Sequence, residues 1–349
     1  MRLLYLYKWC TFGGVERVLV NRAFAFKKYG IPIKMGVYFY YGGVINDFKK
    51  YIEKFNLQEY IDLDEKLNFK KYDYIVSIDT PEAFKEDGLK KLILEYHTPY
   101  EDHGSYLREV PREKVRLVLV PSAHFKENLK KRRPDLADKT LILKNFIIEE
   151  AFDNSNYHLP EWSLKPIIWI GRTDKMKNPH FIVRALKKFR NIYGDKIFFC
   201  VVGSSVDEED FIKFIKKENQ IDRVIFYPNI TFERIGAFLK QMRQKEAIFV
   251  SASKGESFGM AVAEAIYFGL PVLITDIPPH RDLIKNDETF LFKVDDVDDF
   301  VSKLYNIIQN YDECAYKILS LKEYLMPEKF LQDWENFIKV LKKKEKVNE

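Results

Sequence analysis

The chain has 349 residues, 46% of them hydrophobic and 31% charged, which is enough apolar content for two packed cores. Its net charge of +5 is mild and carries no nucleic-acid signature, and no run approaches the ~18 apolar residues of a spanning helix. Cys10, Cys200 and Cys314 are scattered without metal or disulfide spacing, which points to a reducing compartment.

Met1–Tyr7 reads as a first strand, and Met1 to Lys8 is too short an apolar stretch for a signal peptide. Gly13 and Gly14 then open a helix, with Gly14 suited to close backbone approach by a ligand and Glu16 to either capping or acceptor contact. Further strands are expected at Ile33–Tyr40, Tyr74–Ile78, Lys91–Leu94 and Leu117–Val120. His97 follows the third of these, before Thr98 and Pro99; a lone histidine there fits a structural role as well as a ligand contact. Lys126, Lys130, Lys131, Arg132 and Arg133 crowd one helical stretch beside Phe125 and Leu129, and Lys339, Lys342, Lys343, Lys344 and Lys346 crowd the tail. Such clusters fit either a solvated surface or weak contact with anionic membrane, at about 1 kcal/mol per cation. Residues 151–166, with Pro160 and Pro166, read as a linker between a first domain, 1–150, and a second, 167–326.

In the second domain Ile167–Ile170 is a strand that runs into a loop carrying Arg172 and Lys177, followed by a helical pattern from Phe181. Arg172 offers a forked donor set and Lys177 a compact charge, a pairing suited to a diphosphate. Phe198–Val202, Val224–Tyr227, Ile248–Val250 and Val272–Thr275 supply further strands, so strand, loop and helix alternate as in a parallel α/β sheet. Glu256 and Glu264 bracket Ser257, Phe258, Gly259 and the start of a helix, whose free N–H groups favour an anion. With the helix opening at Ser257, the carboxylates lie ~10–12 Å apart at the helical rise, about the span of a sugar, diphosphate and ribose in line. Glu256 is then read on the hexose, the helix start on the phosphates and Glu264 on the ribose. Ser253 reads as either a cap or a phosphate contact. Asp295, Asp296, Asp298 and Asp299 read as a solvated helix start, and no Asp-x-Asp stands where it would hold a metal.

Gly171-Arg172-x4-Lys177, followed by Ser253-x2-Glu256-x7-Glu264, resembles the C-terminal domain of the retaining glycosyltransferases of family 4 (glycosyl transferases group 1). Gly13-Gly14-Val-Glu16, Glu95-Tyr-His97-Thr-Pro99, Leu117–Ser122 and Ile142–Asn145 resemble the N-terminal half in the family's order. The chain departs from the pattern at Phe146 after Asn145 and at Pro228, each where the family has glycine. The resemblance implies the GT-B fold, an α/β architecture of two Rossmann-like domains facing a deep cleft, with the last helix, over 327–349, crossing back to the first. It implies transfer of a hexose from a UDP or GDP sugar to an acceptor hydroxyl with retention of configuration, without cofactor or metal. It also implies that His97 steadies the reacting sugar and that the loops from Tyr40 to Phe48 and Tyr100 to Val110 shape the acceptor site. The expected catalytic set is thus His97, Arg172, Lys177 and Glu256. Donor contacts are expected from Gly14, Arg172, Lys177, Ser257, Phe258, Gly259 and Glu264, and an acceptor contact from Glu16.

The expected partners are a nucleotide sugar and a glycan or lipid-linked acceptor, in polysaccharide, glycolipid or glycoprotein glycan assembly, and not nucleic acid. The expected location is the cytoplasm, with peripheral contact at the inner membrane face. The alternative is a catalytically silent sugar-nucleotide-binding subunit, against which all four charged site residues are present. A dinucleotide oxidoreductase lacks support, because no Gly-x-Gly-x-x-Gly follows a strand.

Overall fold

The computed structural model of the chain describes residues 1–86, 89, 92–99, 104–153, 155–203, 208–227 and 230–346, with side chains for all of these except 208 and 344–346. They fall into two compact units, one of Met1–Ala151 with Met326–Glu349 and one of Phe152–Leu325.

In the first unit β1 (Arg2–Tyr7), β2 (Lys34–Phe39), β3 (Ile61–Leu63), β4 (Tyr74–Ile78), β5 (Leu92–Glu95), β6 (Val115–Val120) and β7 (Thr140–Ile142) form one parallel sheet. Its order is β3-β2-β1-β4-β5-β6-β7. The strands are nearly unbroken apolar runs because helices cover both faces of such a sheet; all of β4 is buried. Between strands run α1 (Gly14–Lys28), α2 (Ile45–Lys54) and α3 (Ala123–Arg132). Ser122 caps α3 by accepting the Phe125 N–H at 3.2 Å, and Phe125 and Leu129 anchor the helix in a cluster with Leu94, Val118 and Leu136.

The second unit repeats the plan with β8 (Lys165–Ile170), β9 (Ile197–Val202), β10 (Val224–Tyr227), β11 (Ile248–Ser251), β12 (Val272–Thr275) and β13 (Leu291–Phe292). These parallel strands lie in the order β10-β9-β8-β11-β12-β13, so the winding reverses between β8 and β11. Its helices are α4 (Pro179–Tyr193), α5 (Glu208–Lys217), α6 (Phe232–Gln244), α7 (Met260–Tyr267), α8 (Pro278–Leu283), α9 (Val297–Gln309) and α10 (Tyr311–Ser320). Asp296 caps α9 by accepting the Asp299 N–H at 3.0 Å, which gives the aspartate cluster a local structural use.

The last helix, α11 (Pro327–Lys346), belongs to the first unit. Phe330, Trp334, Phe337 and Leu341 are buried there, with Trp334 against Phe26 at 4.8 Å and Phe330 stacked on Phe146 at 4.5 Å. That stacking gives Phe146, where the resembled family carries glycine, a partner in the core.

Three expectations change. β3 and β13 were not anticipated, because three and two residues are too few to show a period. The expected linker over 151–166 ends inside a strand, since β8 begins at Lys165, and its Phe152 is already packed on Phe232 and Phe268 in the second unit. The helix after Glu256 opens at Met260 rather than Ser257: Gly259, at φ 88°, takes a left-handed turn that precedes the helix. Lys91, Tyr100 and Pro228 lie outside the described residues.

Candidate functional site

Ligands of open parallel sheets bind at the carboxyl ends of strands, where the winding reverses. In the second unit that point falls between β8 and β11, and the two loops leaving those strands carry the expected charged residues. The loop after β8 holds Arg172 and Lys177; the loop after β11 holds Ser253, Glu256 and Gly259. The Lys254 N–H donates to the Met176 carbonyl at 2.8 Å, tying the loops together. Lys177 Nζ donates to Glu256 Oε1 at 2.6 Å and the Ser253 hydroxyl to the same oxygen at 2.8 Å. Lys177, Ser253, Glu256 and Gly259 line one pocket, with Trp169 and Phe249 from the strands beneath.

Arg172 is not among the residues that line this pocket. Its guanidinium pairs with Asp174 at 3.1 Å and stays 53% exposed, while Asp174 also accepts the Lys177 N–H at 2.9 Å. Asp174 thus shapes the cationic loop, a role that the sequence did not disclose. Ser257 and Phe258 are half-buried between Glu256 and Gly259. Glu264 sits one turn into α7 and is fully buried, so the helical rise does not set its separation from Glu256 as expected.

Burial works against the Glu256 charge, but the Lys177 ammonium, with His280 and the Ser253 hydroxyl, outweighs it and holds the carboxyl below its usual range. His280 is the residue that the sequence reading missed. It lies on α8, fully buried, 2.8 Å by Nδ1 from the Thr275 carbonyl oxygen. A carbonyl only accepts, so Nδ1 carries the proton and Nε2 is left as an acceptor without a hydrogen-bond partner among the described residues. Burial pushes the imidazole pKa down, against the pull of Glu256. A Cβ added at Gly259 would lie 3.8 Å from that nitrogen. The available signal was a histidine just past the carboxyl end of β12, the strand next to β11. Thr173 Oγ1, in the cationic loop, is likewise buried without a hydrogen-bond partner among the described residues.

In the first unit Gly14 is exposed at the start of α1, and a Cβ there would meet open space. Glu16 is 1% exposed. Its Oε1 accepts the Thr11 N–H and its Oε2 the Gly13 N–H, both at 2.8 Å. Glu16 thus caps α1 with both carboxylate oxygens, and burial raises its pKa against those N–H groups. His97 follows β5 and is 9% exposed; its Nε2 lies 2.6 Å from Glu95 Oε1, and its backbone N–H donates to Asp79 Oδ2 at 2.9 Å.

Solved structures share this architecture along nearly the whole chain. A TarM mutant from S. aureus, in complex with Fondaparinux, alpha-GlcNAc-glycerol and UDP, superposes at TM-score 0.76 with 13% identity, over 98% of this chain and 100% of that one. HepE of Anabaena in complex with UDP and glucose gives 0.74 with 15% identity over the same shares. The fold is GT-B. Residues 162–318, within the second unit, match the family model described as glycosyl transferases group 1. Among curated relatives, the O-antigen biosynthesis glycosyltransferase WclY of Escherichia coli is 25% identical over 126 residues, 34% of this chain. An uncharacterized glycosyltransferase of Haemophilus influenzae is 25% identical over 219 residues, 58% of this chain. The matches span 33% and 59% of those relatives' own lengths.

Proposed function

We propose that the protein is a family 4 glycosyltransferase that moves a hexose from a UDP or GDP sugar to an acceptor hydroxyl, with retention and without a metal, in the assembly of an envelope glycan. The observation that carries this reading is the Lys177–Glu256–Ser253 constellation, held by two joined loops at the winding reversal of the unit that matches the group 1 family model. In this reading Arg172 and Lys177 neutralise the diphosphate as the glycosidic bond breaks, Glu256 holds the hexose and Glu264 the ribose. The backbone of Ser257, Phe258, Gly259 and Gly14 is assigned to the donor phosphates, and His97 to the sugar. The attacking acceptor passes its proton to the departing diphosphate oxygen, so the protein supplies placement and charge stabilisation rather than a nucleophile. The UDP in the TarM and HepE complexes and the O-antigen role named for WclY support the donor class and the glycan setting.

A panel of UDP and GDP sugars tests the reading. One donor is expected to stabilise the protein thermally and to be hydrolysed slowly, giving a sugar of unchanged anomeric configuration by proton NMR, with turnover unaffected by EDTA. Inversion would overturn retention, and loss of turnover in EDTA that Mn²⁺ restores would overturn metal independence. Failure of every donor to bind would overturn the function itself.

A further inference from the structure

Behind His97 the first unit buries two more charged groups, Arg22 and Glu95, that the proposed chemistry does not use. Arg22, on α1, is fully buried and meets Glu95 at the end of β5 with both guanidinium nitrogens: Nη1 donates to Oε2 at 3.0 Å and Nη2 to Oε1 at 2.5 Å. Tyr5 lies beside it, and the Phe330 ring of α11 covers it at 5.9 Å. Glu95, 1% exposed, offers the same Oε1 to His97 Nε2 at 2.6 Å. On its other side His97 is held by Asp79, whose second oxygen accepts the Tyr106 hydroxyl at 3.2 Å.

Burying an Arg–Glu pair costs several kcal/mol of desolvation, and an apolar pair of similar volume is often as stable. The retained pair ends on one group, the imidazole. Burial opposes the Glu95 charge, but Arg22 and then His97 hold the carboxyl far below its usual range. An ionised carboxylate only accepts, so Nε2 must carry the proton. In the neutral imidazole Nδ1 then holds the lone pair, and the hydrogen bond of the ring among the described residues is the one at Nε2.

We propose that Glu95, backed by Arg22, is a positioning residue that fixes His97 as the Nε2–H form, leaving Nδ1 to accept a hydrogen bond from a sugar hydroxyl. This rests on the reading of His97 as a sugar contact. The Arg22 fork orients the carboxylate, the carboxylate orients the ring, and Asp79 pins the backbone at the same residue. The logic is that of a buried acid holding a histidine in its working tautomer. A glutamine at 95 can donate to Nε2 instead, which moves the proton to Nδ1 and turns the acceptor into a donor.

Long-range proton–nitrogen NMR of the full chain labelled with ¹⁵N-histidine reads the tautomer directly, with His97 assigned by difference from His97→Gln. The expected wild-type signal is Nε2–H, and Glu95→Gln is expected to shift it toward Nδ1–H. The same substitution is expected to lower kcat at least tenfold while UDP or GDP affinity changes less than twofold. A wild-type Nδ1–H signal overturns the proposal even if Glu95→Gln does not fold. So does a Glu95→Gln protein that melts earlier yet keeps its tautomer and its kcat per folded molecule. The tautomer is read without substrate, so wild type with the Nε2–H signal but no sugar-nucleotide turnover overturns the proposed function and the ligand assignment, and leaves the positioning chain standing.

Discussion

Arg172 and Lys177 share one loop, yet the fold embeds them differently. Arg172 is half in solvent and pairs at the surface with Asp174, an arrangement worth little to stability. Lys177 is 24% exposed and supports the charge of a 10% exposed Glu256. If both cations stabilise a leaving diphosphate, Arg172→Ala and Lys177→Ala each lower kcat/KM at least tenfold, since one lost donor costs ~3–4 kcal/mol in such a site. Their stabilities then separate. Arg172→Ala melts like wild type, whereas Lys177→Ala is less stable at pH 7 by about 1–3 kcal/mol, because a buried carboxylate loses its strongest donor. The folded pKa of Glu256 is depressed, so its stabilisation is full above the unfolded pKa and fades as pH falls through the folded value. The gap between the proteins therefore narrows on acidification below about pH 4. Equal stability at every pH, with unchanged kcat/KM, would contradict the pairing and the diphosphate role together.

At the scale of elements, α3 shows how burial redistributes a run of charges that looks uniform in sequence. Lys130, Lys131 and Arg132 are exposed, while Phe125 and Leu129 face the core. Arg133 differs: it donates to the carbonyls of Leu107 and Val110 and pairs with Asp135 at 2.7 Å, so it serves as a structural tie rather than as part of a basic face. In the tail Lys339, Lys342 and Lys343 are exposed. These exposed cations support the proposal that the first unit touches anionic membrane, at about 1 kcal/mol per cation near the surface. The protein is expected to sediment with anionic vesicles at low salt, not with neutral ones, and to be released at high salt. Lys130→Glu with Lys131→Glu weakens that binding without loss of fold, whereas Arg133→Glu destabilises the unit. Equal sedimentation with neutral and anionic vesicles would rule the contact out.

At the scale of the whole molecule, the last helix in sequence completes the core that the first strands begin. Trp334 is 2% exposed against Phe26, and Phe330 covers the Arg22 guanidinium. Deleting a buried ring of that size leaves a cavity that costs ~3–5 kcal/mol. Trp334→Ala is expected to lower unfolding stability by that much in urea, and a loss below 1 kcal/mol would show that α11 is an accessory rather than part of the core.

The sequence by itself determined the alternation of strands and helices and the loops that carry Arg172, Lys177, Glu256 and His97. Those signals are local: apolar runs of strand length, helix-breaking glycines, and charged residues just past a strand end. Glu256 and Lys177 lie 2.6 Å apart although 79 positions separate them, and only the parallel pairing of β8 with β11 decides that closeness. Tertiary structure likewise placed His280, on α8, near Gly259 at the start of α7. It also assembled Arg22, Glu95 and His97 into one buried chain from β5, the turn after it and α1. Such charges are indistinguishable in sequence from solvated ones. What separates them is how much water the fold removes and which opposite charge or N–H it brings in, and both follow from packing between segments distant along the chain.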